Sequence, residues 1–355
     1  MNIKIHSSEL NRMMKTIIQC IEPKSSSLGN IEIVHDNNLL SIRGTDGTLS
    51  AVMSAPLLGS GGDSFCVDGT MFARVCAMCN GEITIMTDGK VCTVKGAGRT
   101  RIPIVKTDIP AFKRVTGKTC KIRAEVFSKA YNSVAYAISS NQNMPVLTGV
   151  RMEAQGDVVK MISLDGFRMA MEQVPCESDE MQAVVIPGAF MKLVSASTYA
   201  GEVITIATDG KRVQASTDGM LVACTLLSGD FPDCKRIVPE SFKTSSVLYA
   251  AELQSALKSG SVVNTSNNLV KLFVNENNIT ISSNSEQADF EAEVNCATNG
   301  DSLKIAFNHK YLMDTIASII ANEITMQFNS PISPCVIRGK ESDGYRLILP
   351  VRVQG

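Results

Sequence analysis

The chain has 355 residues, a formal net charge of −1 and 44% hydrophobic residues, which is enough apolar sequence for several cores of ordinary domain size. It has no apolar run long enough to span a membrane and no signal-peptide pattern at its start, so we expect a soluble, cytoplasmic protein with no membrane partner. The eleven cysteines are scattered and odd in number, which argues against the disulfide framework of a small secreted fold.

Two sequence motifs recur with one period. A strand–turn–strand motif begins at Ile31, Val150 and Val270, and a second motif begins at Glu82, Glu202 and Glu323. The successive offsets are 119 and 120 for the first motif and 120 and 121 for the second. Two unrelated motifs rarely share a period by chance, so the chain is predicted to be a threefold internal repeat. The predicted domains are residues 1–118, 119–243 and 244–355.

Apolar residues at helical spacing predict two helices in each repeat, with about eight strands around them. The first helix is predicted to follow a cap at Ser7 or Ser8 and to end before Pro23, and the others cover residues 69–79, 124–138, 187–198, 251–263 and 308–320. Pro187 suits a first helical turn and Asn308 suits a cap. The apolar faces include Leu10, Met13, Met14, Ile17, Ile18, Ile21, Phe127, Tyr131, Val134, Ile138, Leu253, Leu257, Val262, Leu312, Ile316 and Ile319. The pattern is typical of an α+β fold.

The pair Cys76 and Cys79 matches a Cys-x-x-Cys pattern and could indicate zinc or redox chemistry. The chain offers no second pair at metal-ligand spacing and has only three histidines. Both thiols share a helix face with Met71, Phe72 and Val75, so we interpret them as core residues and expect no metal or cofactor.

Asp-Gly pairs at residues 46–47, 88–89, 165–166, 209–210 and 218–219 could also suggest metal sites. Each pair falls between predicted strands, where a hairpin turn needs a positive φ, so turn formation is the better interpretation. The sequence contains no phosphate-binding loop, nucleophile elbow or metalloprotease motif. This absence favours a binding protein over an enzyme.

The predicted helices carry more basic than acidic residues. The basic ones are Arg12, Lys15, Arg74, Lys129, Lys192, Lys258 and Lys310, and the acidic ones are Glu9, Glu125, Glu252 and Asp314. Three of the acids lie in first turns, where the helix dipole stabilises them. Basic faces of this kind fit loose contact with a phosphate backbone, although an ordinary solvated face would look the same.

Five sequence motifs resemble those of a known protein family. They are Leu147-Thr-Gly-Val-Arg-Met, Ser163-Leu-Asp-Gly-Phe-Arg-Met-Ala, Gly229-Asp-Phe-Pro-Asp-Cys-Lys-Arg-Ile-Val-Pro, Phe307-Asn-His-Lys-Tyr-Leu and Leu349-Pro-Val-Arg-Val. In this order, and with the threefold repeat, they resemble the bacterial sliding clamp, the beta subunit of DNA polymerase III. The resemblance covers the whole chain.

The resemblance implies a DNA clamp fold with three similar domains, assembled as a six-domain homodimeric ring. It implies a processivity factor that is not an enzyme and that encircles duplex DNA without sequence preference. The implied partners are the replicative DNA polymerase catalytic subunit, the clamp loader, and translesion polymerases, mismatch repair proteins and ligase. In this family they bind through a short motif with a glutamine followed by leucine and an aromatic residue.

The resemblance also implies three sets of site residues. The peptide-binding set is Leu147, Leu164, Gly166, Phe167, Arg168, Met169, Pro232, Arg236, Ile237, Pro334, Leu347, Ile348, Leu349, Pro350, Val351 and Arg352. The DNA-binding set is Arg12, Lys15, Lys24, Arg74, Lys129, Gln142, Lys192, Lys258 and Lys310. The dimer interface set is Val262, Val263, Arg99, Arg101, Ile102 and Ile104.

Two residues depart from the family pattern. Phe167 stands where relatives often have histidine, and Leu164 where threonine is common, so the predicted peptide pocket is more apolar. Two other classes of function stay open. One is an enzyme whose site the repeats conceal, and the other is a structural β-rich repeat interaction protein that does not encircle DNA.

Overall fold

The computed structural model describes residues 1–23, 25, 27–57, 62–263, 268–340 and 342–352. This part of the chain contains six α-helices and 25 strands, which confirms the predicted α+β class. The helices are α1 (Ser7–Ile17), α2 (Gly69–Ala77), α3 (Ala124–Ala135), α4 (Gly188–Ser197), α5 (Ala250–Ser261) and α6 (His309–Ala317). None of them has the length and apolar character needed to cross a bilayer.

The strands follow the predicted repeat. In the first repeat they are β1 (Asn2–His6), β2 (Asn30–Asp36), β3 (Leu39–Thr45), β4 (Leu49–Pro56), β5 (Gly62–Asp68), β6 (Glu82–Thr87), β7 (Val91–Lys95) and β8 (Arg99–Pro103). In the second they are β9 (Lys118–Arg123), β10 (Gly149–Gln155), β11 (Val158–Leu164), β12 (Arg168–Pro175), β13 (Glu177–Ser178), β14 (Val184–Pro187), β15 (Val203–Thr208), β16 (Arg212–Thr217) and β17 (Met220–Thr225). In the third they are β18 (Thr244–Tyr249), β19 (Leu269–Val274), β20 (Asn278–Asn284), β21 (Asp289–Asn299), β22 (Leu303–Asn308), β23 (Glu323–Phe328), β24 (Cys335–Gly339) and β25 (Tyr345–Ile348).

The chain divides into two compact units. Unit 1 comprises Met1–Ser128, Ala154–Asp157 and Cys176–Leu226. Unit 2 comprises Lys129–Glu153, Val158–Pro175 and Leu227–Gly355. The division into three domains at residues 118 and 243 stays a prediction.

Unit 1 contains two antiparallel sheets. The smaller has the strand order β1-β6-β7-β8, and the larger has the order β13-β9-β15-β16-β17-β4-β3-β2-β5. The larger sheet joins two repeats, because β17 of the second repeat pairs with β4 of the first, with Met220 opposite Met53. Helix α1 packs against both α2 and α4.

Unit 2 contains the strand order β10-β11-β12-β25-β24-β23-β18-β21-β20-β19-β22. Here β25 of the third repeat pairs with β12 of the second, with Leu347 opposite Met169. Helices α5 and α6 pack against each other over a core that includes Phe307 and Phe328.

The two joints between repeats are equivalent. In each, the last strand of one repeat (β17 or β25) pairs with the third strand of a β-meander in the preceding repeat (β4 or β12). The equivalent last strand of the first repeat is β8, which ends its sheet at an edge. The equivalent meander strand of the third repeat is β21, and its first half pairs with β20 alone among the described strands.

The predicted helix faces are largely confirmed, with corrections at helix ends. The cap of α1 is His6 and not Ser7 or Ser8, because the His6 ring accepts a hydrogen bond from the Ser8 amide. Helix α4 begins one residue after Pro187, and the Asn308 side chain caps α6 as predicted. Ile18, Ile138 and Ile319 are only half-buried, because the α-helical segments end before each of them.

Two residues predicted on apolar faces are exposed. Met71 lies on the outer side of α2, although Phe72, Cys76 and Cys79 are buried as expected. Val262 follows the last residue of α5 and its side chain is 77% exposed. The helical spacing of apolar residues does not show how far along a helix the neighbouring elements cover it, so it does not distinguish these two residues from buried ones.

Four of the five Asp-Gly glycines have a positive φ, which confirms the turn interpretation for them. Gly219 is the exception and has no positive φ. Its carbonyl oxygen accepts a hydrogen bond of 2.9 Å from the Ser54 amide, and a Cβ atom at Gly219 would lie 2.9 Å from the Ser54 carbonyl oxygen. Glycine is needed there for the close approach of two backbones.

Candidate functional site

The β11–β12 turn and the strand ends beside it carry five residues of the predicted peptide-binding set, namely Leu164, Gly166, Phe167, Arg168 and Met169. Gly166 adopts a φ of +93°, a conformation that strains other residues. The Asp165 carboxylate accepts hydrogen bonds from the amides of Phe167 (2.9 Å) and Arg168 (3.0 Å). The carbonyl oxygen of Phe167 accepts a hydrogen bond of 2.9 Å from the Leu349 amide. The backbone of Phe167 is therefore fixed at both polar groups.

The guanidinium of Arg168 is enclosed by two tyrosines and two carboxylates. Its central carbon lies 4.4 Å from the ring centre of Tyr311 and 5.1 Å from that of Tyr136. Its Nε donates to Asp165 (2.9 Å) and its Nη1 donates to Asp314 (2.8 Å). Only 10% of the side chain is exposed. Cation–π contacts and charge-assisted hydrogen bonds are both strengthened by such burial.

The carboxylate of Asp314 also accepts a hydrogen bond of 2.8 Å from Lys310, one turn earlier on α6. Burial by itself would raise the pKa of Asp314, but the hydrogen bonds from Arg168 and Lys310 hold that pKa below its ordinary value. Asp314 was the one acidic helix residue predicted outside a first turn. Its position is explained by these two cations.

The peptide-binding set contains both buried and exposed residues. Leu147, Leu164, Met169, Leu347 and Ile348 are buried, with Met169 only 2% exposed. The residues open to solvent include Gly166, Phe167, Arg236, Leu349, Val351 and Arg352, whereas Pro232, Ile237, Pro334 and Pro350 are half-buried. The buried members form a floor that links β11, β12 and β25, and the exposed apolar members form the surface that a ligand could touch.

Phe167 is the largest exposed apolar side chain of the set, with 56% of its surface open to solvent. Its ring centre lies 5.7 Å from that of Tyr311, at an interplanar angle of 36°. The predicted site residues did not include Tyr136, which follows α3, or Tyr311 and Asp314, which lie on α6. The available signals were weak, because a tyrosine at helical spacing usually belongs to a core.

The members of the DNA-binding set differ in their exposure and in whether their charges form ion pairs. Lys15, Arg74, Lys129, Lys192 and Lys258 are exposed on their helices, and Gln142 is exposed in the loop after α3. Arg12 is half-buried, where it pairs with Glu9 and lies over the Tyr199 ring. Lys310 is exposed but pairs with Asp314. Lys24 lies outside the described residues.

The dimer interface set lies at two places, along and just after the edge strand β8 and at the end of helix α5. Arg99 and Arg101 are exposed on the edge strand β8, whereas Ile102 on the same strand is buried within unit 1 and Ile104 is half-buried. Val262 is exposed at the end of α5 and Val263 is half-buried. The buried side chain of Ile102 belongs to the core of its own unit.

The titratable groups with the largest pKa shifts are buried thiols. Burial raises the pKa of Cys20, Cys76, Cys92 and Cys224 to about 12. Such thiols are protonated and poor nucleophiles at neutral pH. Their shifts come from desolvation and not from a catalytic partner, so they do not support the enzyme alternative.

Comparison with known proteins gives one consistent result. Residues 121–233 match the family model of the DNA polymerase III beta subunit central domain, and residues 235–352 match that of its C-terminal domain. A beta sliding clamp from Streptomyces coelicolor is 26% identical over 352 residues and one from Lactococcus lactis is 25% identical over 350 residues. The alignments cover 94% and 92%, respectively, of this chain and of each relative.

Solved structures show the same fold. The DNA polymerase III beta subunit of Thermotoga maritima matches 99% of this chain and all of its own, with a TM-score of 0.92 and 24% identity. A Pseudomonas aeruginosa sliding clamp bound to griselimycin has a TM-score of 0.93 and 21% identity, with the same coverage. The fold is therefore that of the DNA clamps.

The family matches together span more than half of the chain. The chain belongs to the DNA polymerase III beta subunit family, the bacterial sliding clamps. This finding confirms the resemblance inferred from the repeat and the five motifs.

Proposed function

We propose that this protein is a processivity factor that closes as a head-to-tail homodimeric ring around duplex DNA and tethers a DNA polymerase to it. The role is binding and not catalysis. The observation that carries the proposal is the pair of equivalent joints between repeats, β17–β4 and β25–β12. In the part of the chain that the structure describes, β8 and β21 are the corresponding strands of the first and third repeats, and they do not pair with each other.

A second copy can supply the missing pairing. If β8 of one chain pairs with β21 of another, the joint that already occurs twice within the chain is repeated between chains. Because each chain carries three repeats, two such contacts close a dimer of six domains. Closure also covers an otherwise unpaired strand edge, which would favour aggregation if it stayed open.

The charges of the two edges are complementary. The exposed residues of β8 include Arg99 and Arg101, and those of the first half of β21 include Asp289, Glu291 and Glu293. Opposite charges on adjacent strands stabilise pairing and disfavour pairing of like copies edge to edge. Charge thus favours a head-to-tail contact between β8 and β21 over a contact between two β8 strands.

Apolar groups lie beside both edges. The exposed Val262 follows α5, whose Gly260 is covered by the Phe290 ring of β21. Beside β8, a cavity of about 260 Å³ is lined by Val75, Met78 and Val94. We call the contact between β8 of one copy and β21 of the other the seam. Insertion of Val262 and Val263 of one copy into the cavity of the other would give the seam an apolar centre with a charged rim, as in stable interfaces.

The exposed basic residues of the helices are proposed to face DNA. Lys15, Arg74, Lys129, Lys192 and Lys258 present flexible cations without interleaved aromatic side chains. Such cations bind phosphates without reading bases. The contacts would be weak and dependent on salt, so retention on DNA would come from closure of the ring.

The peptide-binding set is proposed to bind the linear motifs of the polymerase and the clamp loader. Phe167, Leu349 and Val351 supply exposed apolar surface on one unit, above the buried floor of Met169 and Leu347. An extended segment with leucine and an aromatic residue fits such a surface. Binding of translesion polymerases, mismatch repair proteins and ligase is proposed through the same set.

The ring proposal is tested with nicked circular DNA. Protein loaded on a nicked circle should stay bound through gel filtration in moderate salt, and it should be lost when a single restriction cut makes the circle linear. End-blocked linear DNA is the matched control and should retain the protein. Equal retention on circular and open linear DNA would contradict encirclement, and would favour the alternative of an interaction protein that does not surround DNA.

A further inference from the structure

We propose that Arg168 is a positioning residue that holds the exposed Phe167–Tyr311 pair as a rigid platform for an apolar or aromatic side chain of the bound peptide. This inference rests on the proposed peptide-binding function and assigns Arg168 a different part in it. The sequence placed Arg168 among the residues that line the pocket. Its surroundings instead make it a support for its neighbours.

The aromatic and cationic groups form one stack. Arg168 lies between Tyr136 and Tyr311, at 5.1 Å and 4.4 Å from their ring centres. Phe167 follows at 5.7 Å from the Tyr311 ring centre. The order along the stack is therefore Tyr136, Arg168, Tyr311 and Phe167. Tyr136 at the inner end is half-buried, and Phe167 at the outer end is open to solvent.

The guanidinium is fixed in its plane as well as along the stack. Two of its nitrogens donate to carboxylates on different elements, Asp165 in the β11–β12 turn and Asp314 on α6. A planar fork with two such partners cannot rotate without losing one of them. Arg168 thus ties the turn that carries Phe167 to the helix that carries Tyr311.

A rigid apolar platform improves binding because less side-chain freedom is lost when the ligand arrives. Phe167 alone would be a mobile exposed ring, but its backbone is held by Asp165 and Leu349 and its ring lies against Tyr311. Phe167 presents an exposed apolar ring, which favours an aliphatic or aromatic side chain over a charged one.

The experiment is a double-mutant cycle with a fluorescein-labelled peptide that contains glutamine, leucine and phenylalanine in the order of the family motif. Binding to the dimeric protein is measured by fluorescence polarisation. Asp314→Asn keeps the side-chain shape but removes the charge that orients Arg168, and affinity should fall roughly tenfold. Phe167→Ala should also weaken binding. In the Phe167→Ala background, Asp314→Asn should have little further effect, because Arg168 acts through the platform.

Conservative changes separate positioning from charge. Asp314→Glu should recover part of the affinity, whereas Arg168→Lys, which keeps the charge but lacks the planar fork, should bind weakly. Arg338→Met is the matched control, because Arg338 also lies over a tyrosine, Tyr345, at 5.1 Å but is outside the peptide-binding set. It should bind as the unchanged protein does. Thermal unfolding of each variant checks the fold, and Arg168→Lys replaces Asp314→Asn in the cycle if the latter does not fold.

The outcomes distinguish this inference from the function on which it rests. If the unchanged protein does not bind the peptide, the proposed peptide-binding function is wrong. If it binds and the two substitutions are additive, Arg168 acts independently of Phe167 and the positioning role is wrong. Unchanged peptide affinity in a folded Asp314→Asn protein would also show that the positioning role of Arg168 is wrong.

Discussion

The hydroxyl of Thr16 on α1 lies 2.9 Å from that of Ser197 on α4, and both side chains are buried. This hydrogen bond connects the first helix of one repeat to the second helix of the next, beside the β4–β17 pairing. The equivalent helices at the proposed seam are α5 of one copy and α2 of the other. Val262 and Met78 follow the ends of these two helices and are exposed.

Replacing Val262 and Val263 together by lysine should give folded monomers. The change places charge where the proposed seam buries an apolar centre, and an unpaired buried charge is strongly unfavourable. Because Val262 is exposed within its own chain, the fold should be retained. Sedimentation velocity measures the oligomeric state and circular dichroism the fold. A double variant that remains fully dimeric would place the seam elsewhere.

Reversing the charge of the β8 edge provides a second test of the seam. Arg99→Glu with Arg101→Glu should weaken the dimer, because the reversed edge would face the acidic residues of β21. Combining it with Glu291→Lys and Glu293→Lys in the same chain should restore the dimer. Mixing the Arg99→Glu/Arg101→Glu protein with a Glu291→Lys/Glu293→Lys protein should also give closed dimers, since both seams of the mixed dimer then join opposite charges. Failure of the fourfold variant to recover dimer would contradict the β8–β21 pairing.

The threefold repeat was the strongest signal in the sequence, because its period follows from two motifs that do not depend on any single residue. It predicted the number of helices and the order of strands in each repeat. The ends of elements were predicted less well. Ser7 and Ser8, for example, are the first two residues of α1, and the cap is the His6 ring, a residue type that capping preferences do not select.

Several residues of the candidate site were predicted, but the contacts between them were not. A family resemblance named Arg168 and Phe167, but no sequence pattern indicates that Tyr136 and Tyr311, separated by 175 positions, enclose the same guanidinium. Such an arrangement depends on the β12–β25 joint, which brings Tyr136 and Tyr311 into one unit. Burial of Met169 likewise follows from that joint and not from local sequence.

Met169→Glu should lower the stability of the protein as well as its affinity for peptide. Met169 is 2% exposed and lies opposite Leu347 in the β12–β25 pairing and opposite Leu164 in the β11–β12 pairing. Burial of a carboxylate there should cost a few kcal/mol of the free energy of unfolding. Val351→Glu, at an exposed member of the set, should weaken peptide binding with little change in stability. Chemical denaturation beside fluorescence polarisation would separate the two effects, and equal stability of both variants would contradict the burial argument.

Removing exposed lysines from the helices should weaken DNA binding uniformly across sequences. Lys15→Ala with Lys192→Ala removes two exposed cations, and the slope of log affinity against log salt should fall by about two. Lys271→Ala, at an exposed lysine on strand β19, is the control and should leave the slope unchanged. Titration of a short labelled duplex at several salt concentrations gives the slope. An unchanged slope in the double variant would show that α1 and α4 do not face DNA.

His309 should make unit 2 less stable in weak acid. Its ring is buried, and Nε2 lies 2.7 Å from the carbonyl oxygen of Leu257. Since a carbonyl oxygen can only accept, Nε2 is the nitrogen that donates, and the neutral ring satisfies this contact. Burial lowers the pKa of His309 below its ordinary value of 6.5, although the hydrogen bond to Leu257 opposes that effect. The unfolded chain therefore binds a proton at a higher pH than the folded chain does.

The stability supplied by neutral His309 is fully present above the ordinary histidine pKa and is lost as the pH falls from there through the lowered value. His309→Gln keeps an amide donor near Leu257 but cannot take up a proton in this range. Its free energy of unfolding should be lower at neutral pH but should depend less on pH as the pH falls below about 6.5. Denaturant unfolding at a series of pH values measures both quantities, with His6→Asn, at the exposed cap of α1, as the matched histidine substitution. The same pH dependence in His309→Gln and the unchanged protein would show that another group titrates in this window.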